Sequence, residues 1–211
     1  YAEDSKLFIE FCAFYGNRAF GGGAIATKNA QSFSLTSTSF TSNVGGQYGG
    51  AVYVYFEQAN PKTINFDRLN FSNNSIRVVG TGLTPYGGAL YCTGGRIEMQ
   101  NSLFLKNVLM YNDGTRGDGG AVWADLNITI VNSHFIGNRA AEGGAIYLKV
   151  GRIHVLDSLF KANVAIRQGG GIRIFVNKGT VERVDFIENQ VITTNNNVDY
   201  GGGAIWVKYY D

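Results

Sequence analysis

One phrase recurs seven times along this chain and restricts its fold more than any other feature. It reads Phe-x-x-Asn, and its Phe residues follow one another at intervals of 26, 31, 33, 31, 25 and 26 residues. A period of this size is typical of solenoids, in which each unit buries its hydrophobic face against neighbouring copies. The pairs are Phe14 and Asn17, Phe40 and Asn43, Phe71 and Asn74, Phe104 and Asn107, Phe135 and Asn138, Phe160 and Asn163, and Phe186 and Asn189.

A second phrase, Gly-Gly-Ala and an aliphatic residue, follows each Asn. The connector between the two phrases has four or five residues in four units, and about a dozen in residues 75–86, 108–118 and 190–201. Since the second half of each unit changes in length only here, we expect this corner to face solvent. The phrase begins at Gly22, Gly49, Gly87, Gly119, Gly143 and Gly202, and Gly169 begins a variant without the Ala.

The apolar residues of each unit have the spacing of short strands. An apolar residue lies five positions before every Phe of the first phrase, and an aliphatic residue ends every Gly-Gly phrase. The composition, with 29 glycines and abundant Phe, Tyr, Val and Ile, favours strands and turns over helices. The sequence therefore predicts an all-β, right-handed parallel β-helix of about seven rungs with three short strands each. A β-sandwich is the alternative, but it does not explain a sevenfold phrase. We expect residues 1–211 to form one segment, without an internal domain boundary, of a longer repeat protein.

Each recurring residue has a physical role in such a coil. The seven Phe side chains are expected to stack inside, and the seven Asn side chains to hydrogen-bond the backbone and one another along the axis. The paired glycines suit a sharp turn at which a Cβ would clash or φ must be positive.

Phe-x-x-Asn paired with Gly-Gly-Ala-(Ile/Leu/Val) resembles the repeat of the chlamydial polymorphic membrane proteins, and similar repeats occur in surface proteins of some protists. The resemblance implies an autotransporter-type surface adhesin with a β-helical passenger. It implies a non-enzymatic role in adhesion or in an extracellular filament, at the cell surface or in the extracellular space. Open strand edges at the ends of the segment predict other repeats or copies of the protein end to end as partners, and the surface role suggests a host receptor or a glycan.

The residues themselves supply no motif for catalysis, a cofactor or a metal ion. A net charge of +2 without a Lys/Arg cluster argues against nucleic acid, and no apolar run is long enough to cross a membrane. A polysaccharide-binding or polysaccharide-cleaving β-helix is the alternative function. Its candidate cluster is Asp67 and Arg68, facing Gln100 and Asn101 on the next rung, while His154 is expected to point outward.

One outward column is rich in aromatic residues. It lies one residue beyond the aliphatic residue of each Gly-Gly phrase, so alternation predicts an exposed stripe along the rod. The stripe is interpreted either as a stabilising cross-strand stack or as a docking surface for a glycan, a partner chain or a filament. Its members are Tyr53, Tyr91, Trp123, Tyr147, Arg173 and Trp206.

Three smaller motifs complete the sequence. N-glycosylation sequons would matter in a eukaryotic secretory route, and Arg-Gly-Asp at residues 116–118 matches an integrin-binding tripeptide that also arises by chance. Cys12 and Cys92 lie about three rungs apart, beyond the reach of a disulfide, and are predicted to be free, buried thiols. The sequons begin at Asn70, Asn73 and Asn127.

Overall fold

The computed structural model describes residues 6–57, 62–78, 83–109, 117–175, 178–192 and 201–209. Within these ranges every regular element is a strand, and no helix is long and apolar enough to cross a membrane. The strands form four parallel sheets of seven, and the chain visits the four sheets in the same order in each of seven coils. The predicted parallel β-solenoid is therefore confirmed. Parts of the three long connectors, residues 79–82, 110–116 and 193–200, lie outside the described residues.

Each coil contributes one short strand to each sheet. The first three coils contain β1 (Lys6–Glu10), β2 (Ala13–Tyr15), β3 (Arg18–Gly21), β4 (Ile25–Lys28), β5 (Ser32–Thr36), β6 (Ser39–Thr41), β7 (Val44–Tyr48), β8 (Val52–Tyr55), β9 (Lys62–Asp67), β10 (Asn70–Ser72), β11 (Ser75–Ile76) and β12 (Leu90–Thr93). The fourth and fifth contain β13 (Gly95–Gln100), β14 (Leu103–Leu105), β15 (Val108–Leu109), β16 (Val122–Ala124), β17 (Ile128–Val131), β18 (His134–Ile136), β19 (Arg139–Glu142) and β20 (Ile146–Leu148). The last two contain β21 (Arg152–Leu156), β22 (Leu159–Lys161), β23 (Val164–Gln168), β24 (Ile172–Phe175), β25 (Lys178–Glu182), β26 (Asp185–Ile187), β27 (Gln190–Val191) and β28 (Ile205–Lys208).

Each coil has one strand more than the three predicted. The first sheet contains β1 and every fourth strand after it, and the second, third and fourth sheets begin with β2, β3 and β4. The additional strand is the one in the third sheet, directly after each Asn, where the sequence predicts only a connector. No residue type is common to all seven members at any position. The strands pair through backbone hydrogen bonds from coil to coil, and Ile76, Leu109 and Ala140 pack together as a small buried cluster.

Alternating burial shows why these segments form strands. In β13 the side chains of Ile97 and Met99 point into the coil and are buried, while those of Arg96 and Glu98 point out and are exposed. Corresponding residues of successive coils are paired in register, so each inward residue packs on its counterpart above and below. The hydrophobic core is consequently one continuous column inside the solenoid, and a single coil could not bury its own share.

The seven Phe side chains of the first phrase stack along the second sheet. Successive ring centroids are 5.0, 4.6, 4.7, 4.8, 4.8 and 5.0 Å apart, and the planes of neighbouring rings differ by at most 15°. The five central rings are fully buried, whereas Phe14 and Phe186 in the outermost coils are half-buried. Their spacing equals the strand spacing, so the backbone pairing itself sets the ring contact.

The seven Asn side chains form a second ladder beside the Phe stack. Asn107, which is fully buried, shows the pattern: its Oδ1 accepts hydrogen bonds from the backbone N–H and the Nδ2 of Asn74, each at 3.0 Å. Its own Nδ2 donates to the carbonyl of Phe71 at 2.9 Å and to Oδ1 of Asn138 at 3.0 Å. Both amide hydrogens and both lone pairs are thus satisfied, which offsets the cost of burying the group.

Glycine is required at both positions of the Gly-Gly pair, for two different reasons. Gly119 has a φ of 76°, in the left-handed region that residues with a Cβ rarely adopt. A Cβ on Gly120 would lie 2.0 Å from the carbonyl oxygen of Gly144 in the next coil. The first glycine therefore makes the turn, and the second lets adjacent coils approach at that turn.

Candidate functional site

The aromatic stripe lies on the outer face of the fourth sheet, with its six members in register. The ring of Tyr91 stacks on Tyr53 with centroids 5.5 Å apart and on Trp123 at 4.6 Å, with interplanar angles of 7° and 13°. Tyr147 continues the series 6.2 Å from Trp123. Parallel in-register pairing therefore places aromatic side chains face to face over four consecutive coils.

The expectation that this stripe is exposed is wrong. Trp123 is 5% exposed, Tyr147 9% and Arg173 6%, while the other three members are half-buried. A second column of residues, each directly before a Gly-Gly pair, packs along the stripe and covers it. Its members, which pair in register from coil to coil, are Tyr48, Tyr86, Asp118, Glu142, Gln168 and Gly201.

Contacts between the two columns are close. Tyr48 lies 5.0 Å from Tyr91, and Tyr86 lies 5.2 Å from Trp123, measured between ring centroids. Burial raises the pKa of Tyr91 and of Tyr147 above the ordinary value, so both phenols stay neutral at physiological pH. The stripe is therefore an aromatic cluster built into the side of the solenoid, and its value as a contact surface stays a prediction.

Arg173 takes the place of an aromatic residue in this cluster. Its guanidinium carbon lies 4.6, 4.0 and 4.9 Å from the ring centroids of Tyr147, Phe175 and Trp206. Its Nε lies 2.7 Å from a carboxylate oxygen of Glu142. A planar cation can stack on rings as an aromatic residue does and also pair with a carboxylate, which explains how Arg fits a ladder of rings.

Carboxylates and arginines meet where the two columns run through the fourth to sixth coils. Glu142 pairs with Arg173 and, at 3.0 Å, with Arg167. Burial and the neighbouring Glu142 carboxylate raise the pKa of Asp118 to about 7, and Arg173 and Arg167 partly oppose this shift. Asp118 can therefore carry a proton near neutral pH. The repeated phrases do not reveal this cluster, although both of its carboxylates, Asp118 and Glu142, stand directly before a Gly-Gly pair.

The predicted candidate cluster on the first sheet forms as expected. Asp67 pairs in register with Gln100, and its carboxylate accepts from Asn101 Nδ2 at 2.8 Å and from Arg68 at 2.8 Å. His154 points outward and hydrogen-bonds the hydroxyl of Thr180. In the described part of the chain, no group of three or more His, Cys, Asp or Glu side chains is placed to hold a metal ion.

The sequon residues differ in their availability. Asn70 and Asn73 are exposed, whereas Asn127 is half-buried and its Oδ1 accepts from the backbone N–H of Arg152 at 2.9 Å. The Asn127 side chain therefore takes part in a contact between successive coils, and the other two face solvent. Whether any of them carries a glycan stays a prediction.

The Arg-Gly-Asp tripeptide is only partly described. Arg116 lies outside the described residues, Gly117 is buried, and Asp118 is half-buried in the corner next to Glu142. Asp118 thus takes part in the packing of the covered stripe.

The two cysteines are free, as predicted, but only one is buried. Cys92 lies inside the coil, where burial raises the pKa of its thiol, whereas Cys12 is exposed. The position two before the Phe is buried in coils with neighbours on both sides, as at Ser133 and Ser158. Cys12 belongs to the first described coil, which is covered from one side only.

The repeats match those of known proteins. The family model of the Chlamydia polymorphic membrane protein repeat matches residues 68–93 and 132–149, each containing one Phe-x-x-Asn and the next Gly-Gly-Ala. The chain is 32% identical over 133 residues to probable outer membrane protein pmp21 of Chlamydia pneumoniae, covering 60% of this chain and 8% of that protein. No solved structure shows significant similarity. The chain therefore carries repeats of the polymorphic membrane protein type, and each matched repeat supplies the strands of the second, third and fourth sheets in one coil of the parallel β-solenoid.

Proposed function

We propose that this chain is a non-enzymatic, adhesive rod segment of an autotransporter-type cell-surface protein. Its similarity to a protein described as a probable outer membrane protein supports the expected surface localisation. The match spans 8% of that relative, so the role of the whole protein belongs to the proposal as well.

The proposal is supported by one observation: the repeated residues are buried inside the coil, whereas the outward residues vary from coil to coil. The repeated Phe side chains stack on one another inside the coil, and the repeated Asn side chains hydrogen-bond between coils, so neither set is available to a partner. Outward positions such as Asn65, Glu98 and Thr129 pair in register but differ in chemistry from coil to coil. A rigid scaffold with a freely varying surface suits recognition of an external partner.

End-to-end assembly with other repeats or copies, forming an extracellular filament, belongs to the same proposal. The flat face of a coil presents unpaired backbone groups and half of a Phe and Asn ladder until another coil covers it. Stacking a further coil would continue every ladder described above.

Adhesion can be tested with the purified segment. Beads coated with the folded segment should bind cultured animal epithelial cells more than beads coated with an unrelated β-rich protein of similar charge. Soluble segment should compete for the same cells. Equal binding of the two kinds of bead would refute the adhesive role.

A polysaccharide-cleaving activity is the second candidate, and Asp118 is the observation that favours it. A carboxyl group with a pKa of about 7 beside a second carboxylate, Glu142, resembles the acid that glycoside hydrolysis requires. Incubation with a panel of polysaccharides would test it. New reducing ends that disappear in Asp118→Asn would establish an enzyme and overturn the non-enzymatic proposal.

A further inference from the structure

A groove of about 310 Å³ runs along the outer face of the first sheet and crosses the first five coils. We call it the polar groove. Two in-register columns of side chains form its floor, and these columns continue the alternation that buries the core on the opposite face. The six central residues are Ser34, Asn65 and Glu98 in one column, and Thr36, Asp67 and Gln100 in the other.

The hydrogen-bonding groups of this groove are largely directed to solvent. Among the described residues, the side chains of Ser34, Asn65 and Gln100 make no hydrogen bond to another protein group, and Glu98 accepts one bond, at 3.3 Å, from Thr129. The buried Asn ladder, in contrast, satisfies every donor and acceptor internally. The groove therefore offers a row of hydroxyl, amide and carboxylate groups that a ligand can use.

The type of ligand follows first from what the groove lacks. The backbone groups of the first sheet are paired in parallel ladders, so an extended peptide could not add to the groove as a further strand. The lining includes no described lysine or arginine, and although Arg68 pairs with the Asp67 carboxylate at 2.8 Å, the Glu98 carboxylate has no ion-pair partner among the described residues. Phosphates, and with them nucleic acids, are therefore disfavoured, as are sugars that carry carboxylates.

The type of ligand follows next from what the groove repeats. In-register strands set one polar side chain of each column about 4.8 Å from the next. A linear glycan presents hydroxyl groups ring after ring at a comparable interval, and hydroxyls both donate to carboxylates and accept from amides. At the first coil, Phe8 is 62% exposed and is in register with Ser34, so its ring is available for the apolar face of a sugar.

We propose that the polar groove binds a neutral oligosaccharide along the solenoid axis, with Phe8 as a stacking platform at one end. The proposal deepens the adhesive function, on which it rests, by naming the ligand class and the surface that takes it. The side chains of Asn65 and Glu98 in the central column are the direct contacts, and the aromatic stripe on the fourth sheet is not involved.

Binding is tested with the purified, fluorescently labelled segment on an array of neutral, amino-substituted and acidic oligosaccharides. The best neutral glycan is then titrated by calorimetry against the segment and its variants. Asn65→Ala and Glu98→Ala should each weaken binding about fivefold to tenfold, the usual effect of losing one or two hydrogen bonds. His134→Ala, an exposed change on the second sheet, is the matched control and should bind like the unaltered segment.

The same variants separate this proposal from the adhesive function. Circular dichroism should show unchanged melting for all three, since the altered side chains are exposed. Neutral glycan binding that weakens in Asn65→Ala and Glu98→Ala but not in His134→Ala supports the groove. Preference for acidic glycans, or equal binding by all variants, overturns it. Cell binding without any glycan binding overturns the groove and leaves adhesion standing, whereas glycan binding without cell binding supports the groove and counts against adhesion.

Discussion

Replacing Asn107 by Asp should strongly destabilise the solenoid although the two side chains have nearly the same shape. The carboxylate retains the acceptor that receives the two bonds from Asn74. It loses both bonds that Nδ2 donates, and a second oxygen then faces the carbonyl of Phe71 and Oδ1 of Asn138 at 2.9 and 3.0 Å. The second oxygen and the Phe71 carbonyl would then face each other in this fully buried corner without a donor, while Asn138 Oδ1 keeps only the bond from the backbone N–H of Asn107 at 2.9 Å.

The size of the loss follows from those two bonds. Leaving a buried acceptor unpaired costs about 1–3 kcal/mol, so two of them lower the free energy of unfolding by about 2–6 kcal/mol. That is a large part of the about 5–15 kcal/mol that stabilises a typical domain. Burial raises the pKa of the new carboxyl, so its folded-state pKa exceeds its unfolded-state value. The variant is therefore least unstable below about pH 4 and loses further stability as the pH rises.

Urea unfolding, followed by circular dichroism near pH 4 and pH 7, measures this loss. Asn132→Asp is the matched control, because it makes the same change of charge one coil away at an exposed position, where losing the bond from its Nδ2 to Oδ1 of Asn101 leaves both oxygens open to water. The control should stay within about 1 kcal/mol of the unaltered protein. Equal losses in Asn107→Asp and Asn132→Asp, or a loss that shrinks as the pH rises, would refute the energetic role of the Asn ladder.

Three further predictions concern other parts of the solenoid. Gly120→Ala should lower the free energy of unfolding by about 1–3 kcal/mol, because its Cβ would meet the Gly144 carbonyl at 2.0 Å, and an unchanged melting temperature would contradict this. Alkylation of the native protein should add one label, at exposed Cys12, and denaturation should add a second at buried Cys92; two labels before denaturation would contradict the burial. Because the pKa of Asp118 is raised to about 7 in the folded protein, its protonation adds to the free energy of unfolding. This contribution should be full below about pH 4 and disappear as the pH rises to about 7. Asp118→Asn should remove this part of the pH dependence and be more stable than the unaltered protein above pH 7, as urea titrations across that range would show.

The repeated residues predict the inside of the coil well, because inward side chains have the same packing environment in every coil. Phe104, Asn107 and Gly120 each contact a residue of the same type in the coils above and below. The same residue types therefore recur once per coil in the sequence. The strands of the third sheet escaped the pattern because no single residue type recurs in them. Backbone pairing and a small buried cluster of Ile76, Leu109 and Ala140 hold them together instead.

The outward side chains could be predicted in direction but not in burial. Alternation correctly points Trp123 and Tyr147 away from the core, yet it cannot show that Tyr86 and Glu142 fold over the same face. The residues that cover this face lie at the end of the connector between the two repeated phrases, and the length of that connector varies from coil to coil. A position directly before Gly-Gly that repeatedly carries a large side chain was the available signal.

The hydrogen bonds between the Asn side chains all run one way, and this gives the rod a polarity. Each amide nitrogen donates to the amide oxygen of the following coil, from Asn17 through to Asn189. The amide dipoles therefore align head to tail, and each link polarises the next. A coil inserted upside down would set nitrogen against nitrogen on one side and oxygen against oxygen on the other. Added units are thus accepted in a single orientation, whatever the length of their outer loops.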